Sequence, residues 1–169
     1  MNSTKSPELC GICIEKLRDS ELLQLRARTR AEMQRRGLAD SVGAVGERLV
    51  VDHFGTTPGL PKLQLAPPGT KNVDALSRNG ERFSIKTVCT GSKTGTIYPE
   101  RGAKDKQLFE FILIVKLAEH WALESIHQLS WEQFVDARSW DKRMNAWYIA
   151  FNKRALPDSV LVYRAEGEE

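Results

Sequence analysis

The chain has 169 residues, which is enough to bury a hydrophobic core within one domain without disulfide bonds. Hydrophobic residues make up 41% and charged residues 28%, the balance of a soluble globular protein. This composition excludes a membrane span, because the longest apolar run, residues 111–115, has only the length of a buried strand. The net charge of +3 permits a nucleic-acid partner but does not require one.

The N-terminal segment contains two of the three cysteines, Cys10 and Cys13, in a C-x-x-C arrangement. An odd number of cysteines argues against a disulfide framework. The C-x-x-C spacing matches one half of a zinc site. No second pair of cysteines or histidines has the spacing to complete such a site, so two reduced cysteines are the preferred interpretation. The segment also lacks the basic and then apolar layout of a signal peptide, which predicts a cytoplasmic protein without a membrane partner.

Residues 7–36 are predicted to form a helical arm in which apolar positions are spaced among many charges. One interpretation is a solvated helix face, in which Glu21 and Glu32 compensate part of the positive charge. The other is an arm that contacts phosphate or forms a dimer. The sequence therefore predicts an N-terminal helical arm, residues 1–37, and a core domain, residues 38–169. The basic character of the arm comes from five arginines: Arg26, Arg28, Arg30, Arg35 and Arg36.

The next predicted helix begins at a cap formed by Asp40 or Ser41 and carries an apolar stripe. Two glycines inside it, Gly43 and Gly46, each cost about 1 kcal/mol of helix stability relative to alanine. A cost of this size suggests that another backbone or a ligand approaches the helix closely. Glu47 lies directly beside this point.

The remaining segments predict an α/β protein with a mixed sheet. A short strand at residues 62–66 precedes a hairpin at residues 72–88. Residues 89–106 are rich in Gly, Thr and Lys and are predicted to form a long, mobile loop. The near-continuous apolarity of residues 108–117 predicts a central strand covered on both faces. Four segments follow: an antiparallel neighbour strand at 121–129, a helix capped by Ser130 and Gln133, a helix or a strand within 139–156, and a closing strand at 159–163.

The hairpin, "NVDALSRNGERFSIKTV", has two possible registers. With a two-residue loop, Asp74 faces Ile85, and Lys86 lies on the opposite face. With a three-residue loop at 78–80, Asp74 faces Ser84, and Lys86 follows on the same face. The second register also gathers an apolar set on the other face, so the pattern favours it. That set consists of Val73, Ala75, Phe83 and Ile85.

Hydrolysis of a phosphodiester requires a nucleophilic water and neutralisation of the negative charge that develops. A divalent ion held by oxygen ligands supplies both, and a nearby lysine orients or deprotonates the water. Asp74 and Lys86 in the favoured register, with Glu47 on the preceding helix, are side chains of the required types. The segments "GAVGE", "VDAL" and "FSIK" resemble, in this order, the PD-(D/E)xK nuclease superfamily, and the resemblance spans residues 40–117.

The resemblance implies a restriction-endonuclease-like core made of a helix, a three-stranded meander, a crossover helix and a further strand. It implies that Asp74 and Glu47 hold Mg²⁺, for which Mn²⁺ can substitute, and that Lys86 is the lysine of the motif. The backbone carbonyl of Ile85 is implied as a further metal ligand. Ser84 stands where the motif has Asp or Glu, and its hydroxyl is a neutral and weaker ligand for Mg²⁺. Glu47 then takes the role of the second carboxylate.

The loop after the Lys86 strand leaves from near the implied metal and carries side chains suited to phosphate or base contacts. The alternative is an ordinary flexible surface segment. A second basic and aromatic region lies within residues 140–154, where we expect Trp147 to be buried. The candidate nucleic-acid-binding residues of the loop are Lys93, Tyr98, Arg101, Lys104 and Lys106.

These observations predict a Mg²⁺-dependent endonuclease acting on double-stranded DNA, most simply a compact type II restriction enzyme. A homodimer is expected, because two sites cut two strands and a symmetric dimer matches palindromic DNA. A repair or junction-resolving nuclease is a close variant. Two alternatives belong to other classes: a DNA-binding protein with a catalytically degenerate nuclease fold, which Ser84 keeps open, and an unrelated α/β interaction domain.

Overall fold

The computed structural model of the protein describes residues 11–152, 156 and 161–165. The chain divides into two compact units, Met1–Asp40 and Ser41–Glu169. None of the helices in this described part has the length and apolarity that a membrane span requires. Some predicted features lie outside the described residues: Cys10 of the C-x-x-C pair, Lys153 and Arg154 of the second basic region, and the first two residues of the closing strand, 159–160.

The first unit contains helix α1, Asp19–Arg35, preceded by a short 3-10 turn at Ile14–Lys16. None of the α1 side chains is buried. Arg35 Nη2 and Arg36 Nε both lie 2.6 Å from Glu32 Oε1. Their hydrogen bonds lower the pKa of Glu32 to about 2. Two of the five arginines of the arm are thus compensated locally, as expected for a solvated helix face.

The described residues of the second unit form two helices and eight strands: α2, Val42–Thr56; β1, Leu63–Leu65; β2, Ala75–Ser77; β3, Arg82–Val88; β4, Phe111–Leu117; β5, Leu123–Ser130; α3, Trp131–Ala137; β6, Arg138–Asp141; β7, Ala146–Ile149; and β8, Leu161–Arg164. Six strands form one sheet in the order β1-β2-β3-β4-β5-β8, and β6 pairs with β7 in a separate hairpin. Strands β3 and β4 are parallel, whereas the other neighbours in the sheet are antiparallel. The predicted α/β class with a central mixed sheet is confirmed.

Strand β4 lies inside the sheet and is covered on both faces, as its continuous apolarity predicts. Ile112 and Ile114 pack into a cluster with α3 and β7. Leu113 and Val115 point to the opposite face and pack into a second cluster with α2. The sheet is therefore the middle layer of the unit, with a hydrophobic core on each side.

Both helices of the second unit begin at the serines that the sequence predicts as caps. Ser41 Oγ accepts a hydrogen bond from the backbone N–H of Ala44 at 3.3 Å. Ser130 and Gln133 form a capping box at the start of α3, in which each side chain accepts the backbone N–H of the other. These caps fix the start of each helix.

Gly46 allows α2 to approach β3 closely. A Cβ atom at this position would lie 2.9 Å from Thr87 Cβ and closer still to Thr87 Oγ1, inside van der Waals contact. Gly43 has open space at the equivalent position. The close approach that the two glycines suggest is therefore confirmed at Gly46 alone. It brings the next residue of α2, Glu47, towards the strand that carries Lys86.

The variant Gly46→Ala is expected to lower the free energy of unfolding by about 1–3 kcal/mol, the usual cost of overpacking a filled site. Gly43→Ala is the matched control, since its methyl group meets no atom within 4 Å. The control is expected to gain up to about 1 kcal/mol from helix propensity. Urea unfolding of both variants measures the difference. Equal stabilities would contradict the close approach at Gly46.

The hairpin of β2 and β3 has the register of the three-residue loop. Ala75 lies opposite Phe83. Because the two strands are antiparallel, Asp74, which precedes Ala75, lies next to Ser84, which follows Phe83. Gly80 has φ +85°, the left-handed conformation that such loops require, and its N–H donates to the carbonyl of residue 77 at 3.0 Å. The predicted register is confirmed, and the four predicted apolar residues are buried: Val73, Ala75, Phe83 and Ile85.

The connection between β3 and β4, residues 89–110, contains no helix, so the crossover helix that the resemblance implies is not present there. Part of this connection is anchored to β7. Ile97 exchanges backbone hydrogen bonds of 2.8 and 2.9 Å with Trp147, and Thr94 N–H donates to the carbonyl of Ile149 at 2.9 Å. The prediction of a mobile loop is wrong for this part, because Ile97 is only 1% exposed and fixes it to the core.

Strands β6 and β7 settle the ambiguous segment in favour of a strand at 146–149. The rings of Trp140 and Trp147 pack edge to face with their centroids 4.5 Å apart. The Arg138 guanidinium lies 4.0 Å from the centroid of the Trp147 ring. Trp147 is half-buried, so the expectation that it is buried is wrong. Trp147 belongs to the β6–β7 hairpin, which is separate from the six-stranded sheet.

Candidate active site

The site forms where β2 separates from β3. Their pairing ends at Ala75 and Phe83, and among the described residues no strand pairs with Ile85 on this edge. The Asp74 carboxylate takes the place of a partner strand, because its Oδ2 accepts the N–H of Ile85 at 2.6 Å. The N–H and C=O of a strand residue point to the same side, so the Ile85 carbonyl also faces the opening.

Lys86 occupies the centre of this opening. Its Nζ lies 2.9 Å from Asp74 Oδ2 and 3.1 Å from the carbonyl oxygen of Ile85. The side chains of Lys86 and Asp74 are 20% and 22% exposed, so the pair is sheltered but reachable from solvent. A charge-assisted hydrogen bond in this setting holds both groups in a defined geometry.

Ser84 supports Asp74 from inside the protein. Its side chain is fully buried, and its Oγ donates to Asp74 Oδ2 at 3.1 Å. Three donors thus converge on Oδ2, whereas none of the described residues donates to Asp74 Oδ1. The hydroxyl orients the carboxylate and leaves its second oxygen for another ligand.

Glu47 is the second carboxylate of the site. Burial raises the pKa of Glu47 above its ordinary value, the nearby Asp74 carboxylate raises it further, and the Lys86 ammonium opposes both effects. Glu47 is therefore close enough to Asp74 and Lys86 for their charges to act on it. Three of the side chains predicted from the sequence, Asp74, Ser84 and Lys86, are thus bonded to one another. The fourth, Glu47, lies near enough for the charges of Asp74 and Lys86 to affect its pKa.

The raised pKa of Glu47 predicts a pH-dependent stability. The folded state holds the Glu47 proton more tightly than the unfolded state, so this contribution is present below the ordinary pKa of 4.5 and is lost as pH rises towards the raised value. Glu47→Gln cannot ionise and is expected to escape this loss. In EDTA its stability relative to the wild type should therefore increase from pH 4.5 to neutral pH.

Urea unfolding as a function of pH measures this effect. The matched control is Glu119→Gln, because the Glu119 side chain is 88% exposed. The control is expected to follow the wild type across the pH range. An identical pH dependence in the two variants would show that Glu47 carries no excess destabilisation in its charged form.

The oxygen atoms around Lys86 fit a small, hard divalent cation. Asp74 Oδ2 and the Ile85 carbonyl oxygen already converge on a positive group, the Lys86 ammonium. The Glu47 carboxylate lies near them and is destabilised by Asp74, an effect that a cation would relieve. Oxygen donors of this kind suit Mg²⁺. The described residues contain no group of three or more His, Cys, Asp or Glu side chains placed to hold a metal. A cation at this point would have two carboxylates and a backbone carbonyl as its protein ligands.

The predicted nucleic-acid-binding residues separate into two groups. Tyr98, Arg101 and Lys104 line one cleft of about 530 Å³. Lys93 lies elsewhere, with Nζ 3.4 Å from Asp141 Oδ2. Lys106 does not line the cleft, and its Nζ lies 3.5 Å from a carboxylate oxygen of residue 100.

Two residues that line this cleft, Lys71 and Asn145, lie outside the loop at 89–106 and were not predicted from the sequence. Lys71 belongs to the turn before the hairpin, three residues ahead of Asp74, and a lone turn lysine carries no distinctive pattern. Asn145 has φ +50° in the turn between β6 and β7. The asparagine in "MNA" is typical of a turn, but no sequence pattern indicates that this turn lies at the cleft.

Comparison of the chain with models of known protein families gives no match, and comparison with curated protein sequences gives none either. The function of the chain is therefore inferred from the chemistry and the geometry of the site.

Proposed function

We propose that the protein is a Mg²⁺-dependent DNA endonuclease that hydrolyses phosphodiester bonds at Asp74 and Lys86. The observation that carries this proposal is the convergence of the Asp74 carboxylate, the Ile85 carbonyl and the Lys86 ammonium at the separation of two strands. An aspartate, a neighbouring carboxylate and a lysine at a single point are the groups that metal-assisted phosphodiester hydrolysis requires.

Asp74, Glu47 and the Ile85 carbonyl would hold the ion. When bound, Mg²⁺ polarises the phosphate and promotes ionisation of a water molecule. Ser84 Oγ and the Ile85 N–H keep Asp74 in place, which removes the cost of orienting it during the reaction. Lys86 Nζ orients the attacking water and offsets negative charge on the phosphate oxygens. Attack at phosphorus breaks the bond to the leaving oxygen and produces a phosphate monoester and a hydroxyl group.

The fold supports a restriction-endonuclease-like core. Helix α2 is followed by the meander β1-β2-β3 and then by β4 parallel to β3, as the resemblance to PD-(D/E)xK nucleases implies. The chain departs from that pattern in two respects. The crossover contains no helix, and Ser84 replaces an acidic residue. We infer that Glu47 compensates for the second departure, and that two copies act together on double-stranded DNA.

Incubation of the purified protein with plasmid DNA tests this function. Cleavage is expected with Mg²⁺ or Mn²⁺ and should stop in EDTA. Conversion of supercoiled plasmid to nicked and linear forms is measured on agarose gels. An absence of metal-dependent cleavage on supercoiled, junction-containing and gapped DNA would refute the proposal.

A second candidate is a DNA-binding protein that keeps the nuclease fold without catalysis. One observation favours it: Ser84 is buried and bonded to Asp74, so the described part of the chain supplies two carboxylates to the site instead of three. This candidate predicts DNA binding that persists in EDTA and no strand cleavage with either metal ion. The plasmid assay, run beside a binding assay, separates the two functions.

A further inference from the structure

The chain segment that leads into Asp74 borders the cleft that Tyr98 lines. Lys71 lines the cleft and lies three residues before Asp74. Asn72 Nδ2 donates to the carbonyl oxygen of Tyr98 at 3.1 Å, so the segment before Asp74 is tied to the wall of the cleft. The volume of about 530 Å³ lies within the range of small-ligand sites.

The cleft is electropositive. Lys71, Arg101 and Lys104 line it, and Lys104 Nζ lies 4.6 Å from the centroid of the Trp140 ring. Among the residues that the structure describes, no carboxylate lies within ion-pair distance of Lys71 or Arg101. Among the described residues, Glu100 is the one acid in the lining, and it is paired with the ammonium of residue 106. The cleft therefore attracts an anion.

Tyr98 adds an aromatic surface to this cleft. Its side chain is 44% exposed, although the preceding residue, Ile97, is only 1% exposed. The hydrogen bond from Asn72 fixes the backbone of Tyr98 as well. An exposed ring on a fixed backbone, beside cationic side chains, is an arrangement on which nucleic-acid bases stack.

The exposed ring and the cationic side chains of the cleft indicate which form of DNA fits it. In a paired duplex both faces of each base are covered by neighbouring base pairs, so a duplex can offer phosphate to a cleft but no free base face. A base stacks on a protein ring only after it leaves the helix or where it has no partner. A concave site with three cations and one ring therefore suits a single unpaired nucleotide together with its phosphates.

We propose that this cleft binds an unpaired nucleotide of the DNA substrate, next to the phosphodiester that is cleaved at Asp74 and Lys86. Tyr98 stacks on the base, and Lys71, Arg101 and Lys104 contact the flanking phosphates. This inference rests on the proposed function for the nature of the ligand. It makes DNA with a bulge, a gap or a junction the preferred substrate over uninterrupted duplex.

Fluorescence anisotropy in EDTA tests the proposal without cleavage. The probes are a labelled, fully paired duplex and the same duplex with one extra unpaired nucleotide. The wild type is expected to bind the second probe about tenfold more tightly, a difference within the range that stacking of one base supplies. Tyr98→Ala is expected to abolish this preference, whereas Tyr98→Phe retains the ring and should keep it.

Arg101→Ala is expected to weaken binding of both probes and to reduce the slope of log affinity against log salt by about one. The matched control is Arg164→Ala, which removes an exposed arginine from the edge strand β8. This control should leave the preference unchanged. Circular dichroism confirms that each variant is folded.

Equal affinity for the two probes, or an undiminished preference in Tyr98→Ala, would overturn the proposal. The outcome is separable from that of the proposed function. Metal-dependent cleavage without a preference for the unpaired nucleotide refutes this inference alone. A preference that depends on Tyr98, without cleavage in Mg²⁺ or Mn²⁺, supports this inference and refutes the nuclease activity.

Discussion

Replacement of Lys86 by alanine is expected to lower the rate of Mg²⁺-dependent DNA cleavage by about 10²–10⁴-fold, the usual contribution of one positioned acid–base group. Lys86 Nζ lies 2.9 Å from Asp74 Oδ2. In the proposed mechanism Lys86 orients the attacking water, and the alanine variant lacks this group. Initial rates of plasmid nicking, measured at saturating Mg²⁺, report the effect.

The Lys86→Ala variant should remain folded, because Asp74 keeps its hydrogen bonds from Ser84 and from the backbone of Ile85. Lys62→Ala is the matched control, since it removes an exposed lysine just before β1. That control is expected to cleave at the wild-type rate. Cleavage that survives Lys86→Ala would show that the active site is elsewhere.

The Asp74→Asn variant is expected to lose the stabilisation that Mg²⁺ gives to the folded wild type. An ion present at one hundred times its dissociation constant stabilises the folded state by about 2.7 kcal/mol. Asparagine keeps an oxygen that can accept the Ser84 and Ile85 bonds, but it removes the negative charge that binds the cation. Thermal unfolding at increasing Mg²⁺ concentration measures the response, and this readout does not depend on DNA cleavage.

Asp52→Asn is the matched control for this experiment. Asp52 lies on α2, is 61% exposed and pairs with Arg48 at 3.5 Å, so its carboxylate is solvated and already has a cationic partner. The control is expected to keep the full Mg²⁺ response. If Asp74→Asn responds to Mg²⁺ as the wild type does, the ion binds elsewhere on the protein.

The candidate site was largely predictable because its determinants are local in the chain. The three-residue loop, the glycine at its left-handed position and the alternation of β3 fix the positions of Asp74, Ser84 and Lys86 relative to one another. The cap at Ser41 and the close approach at Gly46 direct α2 to the same strand. Each of these signals lies within a few residues of the group that it positions.

The crossover between β3 and β4 was not predictable in the same way. Its composition indicates a flexible segment, yet Ile97 pairs with Trp147 and Thr94 pairs with Ile149. These contacts join residues about fifty positions apart, and no short-range pattern records them. Asn145 is similarly far from Tyr98 in the sequence, which explains why the sequence did not predict that both line the same cleft.

The anchoring of Ile97 has a consequence for how this protein can change over evolution. The groups assigned to chemistry lie between residues 47 and 86, whereas most of the cleft lies beyond the anchor, at residues 98–104. The anchor holds one end of that exposed segment in the core, and the bond from Asn72 uses only the backbone carbonyl of Tyr98, so side-chain substitutions beyond the anchor are expected to leave Asp74 and Lys86 undisturbed. In the proposed nuclease, substrate choice and bond cleavage therefore belong to separate segments, and substitutions within residues 98–104 are the natural route to altered DNA preference.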